Sequence, residues 1–472
     1  MGKGISAMRI VMLGTRGVPA RYGGFETCIE EVGSRLVAAG HEVTVYCRNT
    51  TGEDMPTSYR GMDLVTLPAV PHKVAETLSH SAISVGHVVA RRRPDAALLF
   101  NAANAPFLPA LRARRIPVAT HVDGLEWKRA KWSGAGQKYY RAAESLAVRW
   151  SDALIADAQG IADYYRDEFG VPTELIRYGA PRVARGDGSE LAELGLTTRG
   201  YHLVVARFEP ENHVHLIVEG YVRSRSTLPL VVVGGAPYAD AYTNQVKALA
   251  DDRVRFLGPV WDQDLLDQLY AQAFTYWHGH SVGGTNPSLL RALGAGAPTN
   301  GLDVIFNREV LGSAGQFFTT AADVAALIDA GEADPQLTLR RSVLSEARAD
   351  LYDWDDVAES YEQLCFGLAA GSHRRSGASG RRHGVPLRAN TVATPIPTPV
   401  LHGRRPGAPL DVTSDRSSDL TDIASVTPIG AGRRAVAPAA RESDADALPD
   451  LALTDADLAE LTRVSDGAVR AG

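Results

Sequence analysis

The sequence predicts an α/β protein: two doubly wound, Rossmann-like domains facing a cleft, followed by a C-terminal tail. Three observations carry this. Short apolar strands alternate with helical stretches from Arg9 to Ala156, a rhythm that builds a parallel sheet covered on both faces. The region from Gly179 to Gly200 breaks that rhythm with Pro181, Gly186, Asp187, Gly188 and Gly195, and reads as a linker. A second series of the same kind then begins at His202. At 472 residues the chain also exceeds what one hydrophobic core usually organises.

The first domain spans 8–185. Arg9–Leu13 is an apolar strand ending at Gly14-Thr15-Arg16-Gly17. A loop with Pro19, Tyr22, Gly23 and Gly24 leads into a helix whose buried stripe is Phe25, Cys28, Ile29, Val32 and Leu36, ended by Gly40. Further strands are predicted at Val43–Tyr46, Leu64–Leu67, Ala96–Phe100, Pro117–Thr120 and Ala153–Ala156. Helices are predicted at Thr77–Ala90 and Gln137–Trp150. The second domain spans 198–345, with strands at His202–Ala206, Leu230–Val233, Val254–Leu257, Thr275–Trp277 and Asp303–Phe306, and a helix at Val324–Ala330. Leu339–Ala369 is a longer helical region with Trp354, Val357 and Tyr361 on one face; its part 346–370 is expected to cross back to the first domain.

From 371 to 472 the chain reads as mostly disordered. Arg374 to Arg405 holds seven arginines and no acid. A capping-box-like Thr454 and Asp457 suggest a short helix at 454–463. The basic stretch reads first as a solvated linker, and it is also suited to an anionic membrane surface or a partner. Truncation after Gly371 is expected to leave folding intact.

Composition bounds the function. The chain is 45% apolar and 22% charged, a soluble globular balance, and its net charge of −6 argues against a general nucleic-acid binder. Cys28, Cys47 and Cys365 show neither paired nor metal-ligand spacing, which suits a reducing compartment. No signal-peptide core and no spanning apolar run stand out, so a cytoplasmic protein is expected.

Chemistry concentrates after the strands. From His278 to Pro298 an apolar strand feeds a loop with His278, His280, Gly283, Gly284 and Thr285, then a helix. Asn286 suits the N-cap and Pro287 the first helical position, where its missing N–H costs nothing. Leu289, Leu290 and Leu293 form the buried stripe. A loop feeding a helix N-terminus offers free N–H groups and a favourable dipole to an anion; it is also an ordinary strand-to-helix turn. The glycines at 14, 17, 23 and 24 do not form the dinucleotide fingerprint, and Arg48-Asn49 follow the second strand where a ribose-binding acid would stand, which disfavours a nicotinamide enzyme. His121 and Asp123 follow a buried strand and could orient a hydroxyl or stabilise developing positive charge; the plain alternative is a cap and a surface patch. Arg207, just after the first strand of the second domain, can clamp a diphosphate through its planar fork; its plain alternative is an ion pair with Glu209 or Glu211.

Several motifs, taken together, resemble the retaining glycosyltransferases of GT-B fold in glycosyltransferase family four, and within them the subgroup with a rhamnosyltransferase-type N-terminal domain. They are Gly14–Pro19, Tyr22–Thr27, Gly40–Arg48, Asp123–Arg129, Tyr178–Ala180, Arg207–Asn212, His278–Leu290 and Phe306–Val310, in chain order between Met8 and Leu368. The resemblance implies transfer of a sugar from a nucleotide diphosphate, a dTDP- or UDP-sugar, to a saccharide or polyprenyl-diphosphate-linked acceptor, with retention and without a metal or other cofactor. Rhamnose is the preferred donor sugar, surface polysaccharide the preferred product, and the inner membrane face the expected place of work.

The resemblance assigns His121, Asp123 and Arg207 to catalysis. It assigns Gly17, Gly23, Gly24, Arg207, Asn212, His213, His280, Gly283, Gly284, Thr285, Asn286 and Arg291 to the donor, and Glu126, Trp127, Lys128 and Arg129 to the acceptor. Arg291 departs from the family pattern. A glutamate usually stands there to accept hydrogen bonds from the donor ribose, and an arginine has no acceptor. Asn300 likewise replaces an apolar strand residue. Three readings are open: a deoxyribose donor, an added phosphate contact, or a donor site lost in a binding or scaffold protein. A GT-B epimerase is a further alternative, for which no set of proton-transfer groups can be assigned.

Overall fold

The computed structural model describes residues 7–20, 23–49, 56–70, 75–122, 124–129, 132, 134–235, 240–373 and 377–384. The chain divides into two units, Met1–Ala393 and Thr394–Gly472, and every described residue lies in the first. Asp123, Tyr22 and the helix expected at 454–463 lie outside the described residues, as does the tail beyond 384.

The strands are β1 (Arg9–Leu13), β2 (Glu42–Asn49), β3 (Ser58–Tyr59), β4 (Met62–Pro68), β5 (Ala96–Phe100), β6 (Val118–His121), β7 (Ala153–Ala156), β8 (Glu174–Leu175), β9 (His202–Val205), β10 (Leu230–Val233), β11 (Val254–Gly258), β12 (Thr275–His278), β13 (Thr299–Leu302) and β14 (Gly315–Phe318). The helices are α1 (Gly24–Ala38), α2 (Ala75–Ala90), α3 (Leu108–Ala113), α4 (Ala135–Trp150), α5 (Gln159–Phe169), α6 (Ser189–Glu193), α7 (Val214–Arg223), α8 (Asp240–Ala248), α9 (Gln263–Ala271), α10 (Pro287–Gly294), α11 (Ile305–Leu311), α12 (Ala321–Ala333), α13 (Pro335–Ala349) and α14 (Trp354–Ala370).

Two sheets result. The first has the order β3-β4-β2-β1-β5-β6-β7-β8, and the second β11-β10-β9-β12-β13-β14. All pairings are parallel except the short β3–β4 hairpin. Parallel strands covered on both faces are apolar throughout, and β5 and β10 are buried at every position. In each sheet the order reverses beside a central strand, β1 in the first and β9 in the second. Ligands bind such sheets outside the strand C-terminal ends at that reversal.

One strand was misplaced by the sequence pattern. Asp303–Phe306, expected as a strand, is the turn and first residues of α11, and the strand is Thr299–Leu302. Thr299 and Asn300 look too polar for a buried strand. Arg341 of α13 satisfies them, bonding the Thr299 carbonyl and, at 3.0 Å, Asn300 Oδ1. The long helix expected over Leu339–Ala369 is two helices, broken where Asp353 caps α14 through its bond from the Asp355 N–H.

α14 packs on α1 of the first sheet. His41 accepts from the Met8 N–H at Nδ1 (3.1 Å), which leaves Nε2–H to donate to Glu362 at 2.8 Å. Tyr361 lies against Cys28, fully buried, and Arg35 meets Asp355 at 2.7 Å. The linker is held as well. Ala180 N–H bonds the Tyr352 carbonyl, and Val183 N–H the Gly294 carbonyl. The basic stretch read as a solvated tail is packed against the first domain at 377–384, because two buried carboxylates there require a cation.

Gly294 closes α10 with its Cα against the Pro181 carbonyl, so an added Cβ would overlap that oxygen. A helical Gly→Ala change ordinarily stabilises by ~0.5–1 kcal/mol. Here the sign reverses: Gly294→Ala is expected to lower the thermal midpoint, and a rise in scanning calorimetry would refute the contact.

Candidate active site between the two sheets

The loop after β12 is built from inside outward. Tyr276 and Trp277 anchor β12 in the core, and His278, at its end, is buried with Nδ1 3.1 Å from Tyr276 Oη. Gly279 has no room for a side chain because the Asn212 carbonyl fills the Cβ position. Asn212 donates to the Arg207 carbonyl at 2.8 Å, and its Oδ1 lies 2.6 Å from His280 Nδ1. His213 is left-handed, φ 45°, with Nδ1 2.9 Å from the Gly279 carbonyl. Ser281 bonds the Glu211 carbonyl through both N–H and hydroxyl, and Asn307 donates to the His280 carbonyl at 3.0 Å. The loop is therefore fixed before any ligand arrives.

α10 then starts as its sequence requires. Asn286 caps it, accepting from Ser288 N–H at 3.0 Å, and Pro287 occupies the first position. The first sheet meets this helix end closely. Gly24 packs on the Pro287 ring, and Gly124 lies on Gly283 with no space for a Cβ. Asp157, immediately after β7, accepts from Thr285 N–H at 3.0 Å, while the Thr285 hydroxyl donates to the Asp157 carbonyl at 2.6 Å. Glu309 of α11 adds a second bridge, accepting from Gln159 N–H at 2.9 Å and from Arg177 at 3.0 Å.

Behind Gly24 lies His121. Its ring stacks between Phe100 and Tyr178, centroids 5.7 Å from each, with Phe25 edge-on at 5.1 Å. It is 1% exposed, and neither ring nitrogen has a hydrogen-bond partner among the described residues; the same holds for His278 Nε2. Such orphans are rare in native interiors and point to an outside partner. Burial pushes both histidines down to about 3, so both are neutral. His280 lies well below its ordinary range too, first through burial and then through the neighbouring His278 and the charges of Arg129 and Arg207. Those two arginines come from different domains, and each is paired with a carboxylate of its own segment, Arg207 with Glu209 and Arg129 with Glu126.

The remaining expected residues divide. Arg207 forms the ion pair foreseen as its plain alternative, with Glu209 at 3.4 Å. Gly17 packs against Cys47, and Gly23, with φ 109°, sits over the Glu26 carboxylate and leads into α1. Glu126 is buried and meets Arg129 at 2.7 Å. Trp127 carries Arg141 at 5.2 Å and Lys128 at 5.9 Å over its ring, and burial lowers Lys128. Arg291 is not gathered with the others. It turns to α9 and pairs with Asp267 at 3.4 Å. Asp157 was missed, although its signal was the one that marked His121: a polar side chain directly after a buried strand.

Comparison with known proteins follows this geometry. Residues 7–181 match the family described as a domain of unknown function (DUF1972), less than half of the chain. Over 412 residues the chain is 27% identical to glycogen synthase of Mycobacterium tuberculosis (strain H37Rv), covering 78% of this chain and 96% of that protein. Among solved structures it is similar to sucrose-phosphate synthase from Thermosynechococcus elongatus, with TM-score 0.64, 17% identity, and coverage of 77% of this chain and 100% of that one. Anabaena HepE in complex with UDP-glucose gives TM-score 0.60 at 17% identity, covering 76% and 99%. The fold is GT-B, and the similarities support a glycosyltransferase of that type. No described helix is long and apolar enough to cross a membrane.

The neutral histidines make stability pH-dependent. His121 goes from an ordinary 6.5 to about 3. Between those values the unfolded chain binds a proton that the folded chain refuses, so stability held above 6.5 is lost as pH falls. His121→Phe keeps the stacking and removes that proton. Its thermal midpoint is expected to fall less than the parent's between about pH 7.5 and pH 5; an equal fall would show that the ring titrates normally.

Proposed function

We propose that the chain is a retaining glycosyltransferase of the family-four type, moving a sugar from a dTDP- or UDP-linked donor to a saccharide or lipid-linked acceptor, with rhamnose as the preferred sugar and surface polysaccharide as the product. One observation carries the reading: Arg207 and Arg129, from opposite domains, both lie in electrostatic range of the half-buried His280 beside the N-terminus of α10. Two guanidinium groups, each oriented by a carboxylate (Glu209 and Glu126), and a helix dipole suit a leaving diphosphate, whose negative charge grows as the glycosidic bond loosens.

In this scheme the sugar–phosphate bond breaks towards an oxocarbenium-like ion pair. The acceptor hydroxyl attacks the same face and passes its proton to the departing phosphate. Arg207 and Arg129 hold the phosphate charge. His121, neutral at physiological pH, offers one ring N–H and one acceptor to hydroxyls of the bound sugar, which accounts for its unpartnered nitrogens. Asp123 keeps the catalytic role the resemblance gives it, Glu126, Trp127 and Lys128 belong to the acceptor side in this reading, and Gly17, Gly23 and Gly24 to the loop that closes on the donor. The similar structure of Anabaena HepE holds UDP-glucose, which supports a nucleotide diphosphate as the ligand here.

A second reading, a sugar-nucleotide-binding or scaffold protein, is favoured by one observation. Arg291 is paired with Asp267 where the resemblance places a ribose-binding acid. The two readings part on turnover. A panel of sugar nucleotides with a lipid-linked acceptor is expected to show both binding and transfer; binding without transfer for every donor would select the scaffold.

Charge-assisted bonds to phosphate are worth ~1.5–3 kcal/mol, so Arg207→Ala is expected to weaken donor binding roughly 10- to 100-fold by calorimetry. Unchanged affinity would remove the clamp from the scheme. Arg291→Glu alone places a second acid against Asp267. The swap Arg291→Glu with Asp267→Arg keeps the pair and is expected to tighten ribonucleotide-diphosphate binding; no gain would assign Arg291 a positive role.

A further inference from the structure

Residues 377–384 lie beyond α14 and outside both sheets, yet they are held by an elaborate site on the first domain. α4 supplies Glu144 and α5 supplies Glu168, 4% exposed each. Carboxylates this buried require a partner. Tyr164 donates to Glu144 at 3.0 Å but brings no charge. Arg382 supplies it. Its guanidinium pairs with Glu144 and, at 3.3 Å, with Glu168. It also donates to Tyr164 Oη at 2.7 Å and to the Arg141 carbonyl at 2.9 Å, and lies 4.8 Å over the Phe169 ring. The backbone is fitted too. His383 N–H bonds the Glu168 carbonyl at 2.8 Å, Gly380 passes so close to the Ser145 carbonyl that a Cβ would overlap it, and Ala378 joins the apolar cluster beneath.

The socket touches the site indirectly. Arg141, whose carbonyl receives Arg382, lays its own guanidinium over Trp127 at 5.2 Å. Trp127 belongs to the segment 124–129, whose Gly124 rests on Gly283.

We propose that the α4–α5 face is an arginine socket whose occupant is the chain's own segment 377–384, docked in cis as a strap, and that Arg382 is a positioning residue for the 124–129 segment. The recognised chemistry is a guanidinium on an irregular, glycine-bearing segment, with Gly377, Gly380 and Gly384 left-handed. Lysine cannot reproduce it, because only the planar fork reaches both carboxylates, the phenol and the carbonyl together. The inference stands whatever sugar the cleft handles.

The test uses the full chain and two readouts: trypsin cleavage after Arg382, and hydrogen exchange of the peptide covering 124–129. Glu144→Gln with Glu168→Gln is expected to speed that cleavage by about tenfold or more, since cleavage tracks the open population. Arg382→Ala is expected to raise exchange at 124–129, and Arg382→Lys to restore it only in part. Should the double variant fail to fold, Glu168→Gln alone is read in the same way. Equal cleavage in the parent and the glutamate variants overturns the docking. Faster cleavage with unchanged exchange at 124–129, or full rescue by lysine, overturns the positioning role.

Discussion

The bond from Thr285 N–H to the Asp157 carboxylate is the contact on which the arrangement turns. A helix N-terminus leaves N–H groups without intrahelical partners, and they attract whatever negative group can reach them. Asn286 serves one of them, and Asp157 approaches from the other sheet to serve the N–H just ahead of the cap. That approach is possible because the facing backbones carry no side chains: Gly124 lies on Gly283, and Gly284 on Asp157. The glycines of the loop thus bring two sheets into contact at the helix end, beyond any role in turning the chain.

Around this contact the charge is divided by chemistry. Three histidines of the cleft are held neutral, the buried His121 and His278 near 3 and the half-buried His280 well below its ordinary range. Positive charge is left to the arginines, which keep their proton at any physiological pH. A site that stabilises a phosphate through guanidinium groups and a dipole needs no titrating group for that task, and it frees the neutral imidazoles to hydrogen-bond hydroxyls. Asp157 already sits at Thr285, so an anion arriving at the same N–H would meet a carboxylate there, and exchange between the two would couple binding to the contact between sheets.

The C-terminal elements reinforce the first domain by the same logic of paired burial. α14 closes over α1 through Tyr361, His41–Glu362 and Arg35–Asp355, and the 377–384 segment fills the acid pair of α4 and α5. Each joins residues far apart in the chain, and the pairs at His41 and at Glu144 satisfy buried groups that would be costly to leave unpaired.

The local code was legible where one stretch holds the whole cause. Asn286 and Pro287 start α10, leucines at helical spacing bury it, and short apolar runs name most of the parallel strands. It failed at Thr299–Leu302, because the donor that makes those polar residues tolerable, Arg341, lies on another helix. Of the site, His121, Arg207 and the 283–286 loop could be picked out by their place after buried strands. Their partners could not: Asp157 for Thr285, Arg129 for His280, Asp267 for Arg291, Arg382 for Glu144. The sequence by itself determined the two sheets, the cap and the candidate loop, since propensity and spacing act over a few residues. Which charges meet was decided only by the tertiary structure, since pairing depends on distances between elements that no local pattern encodes.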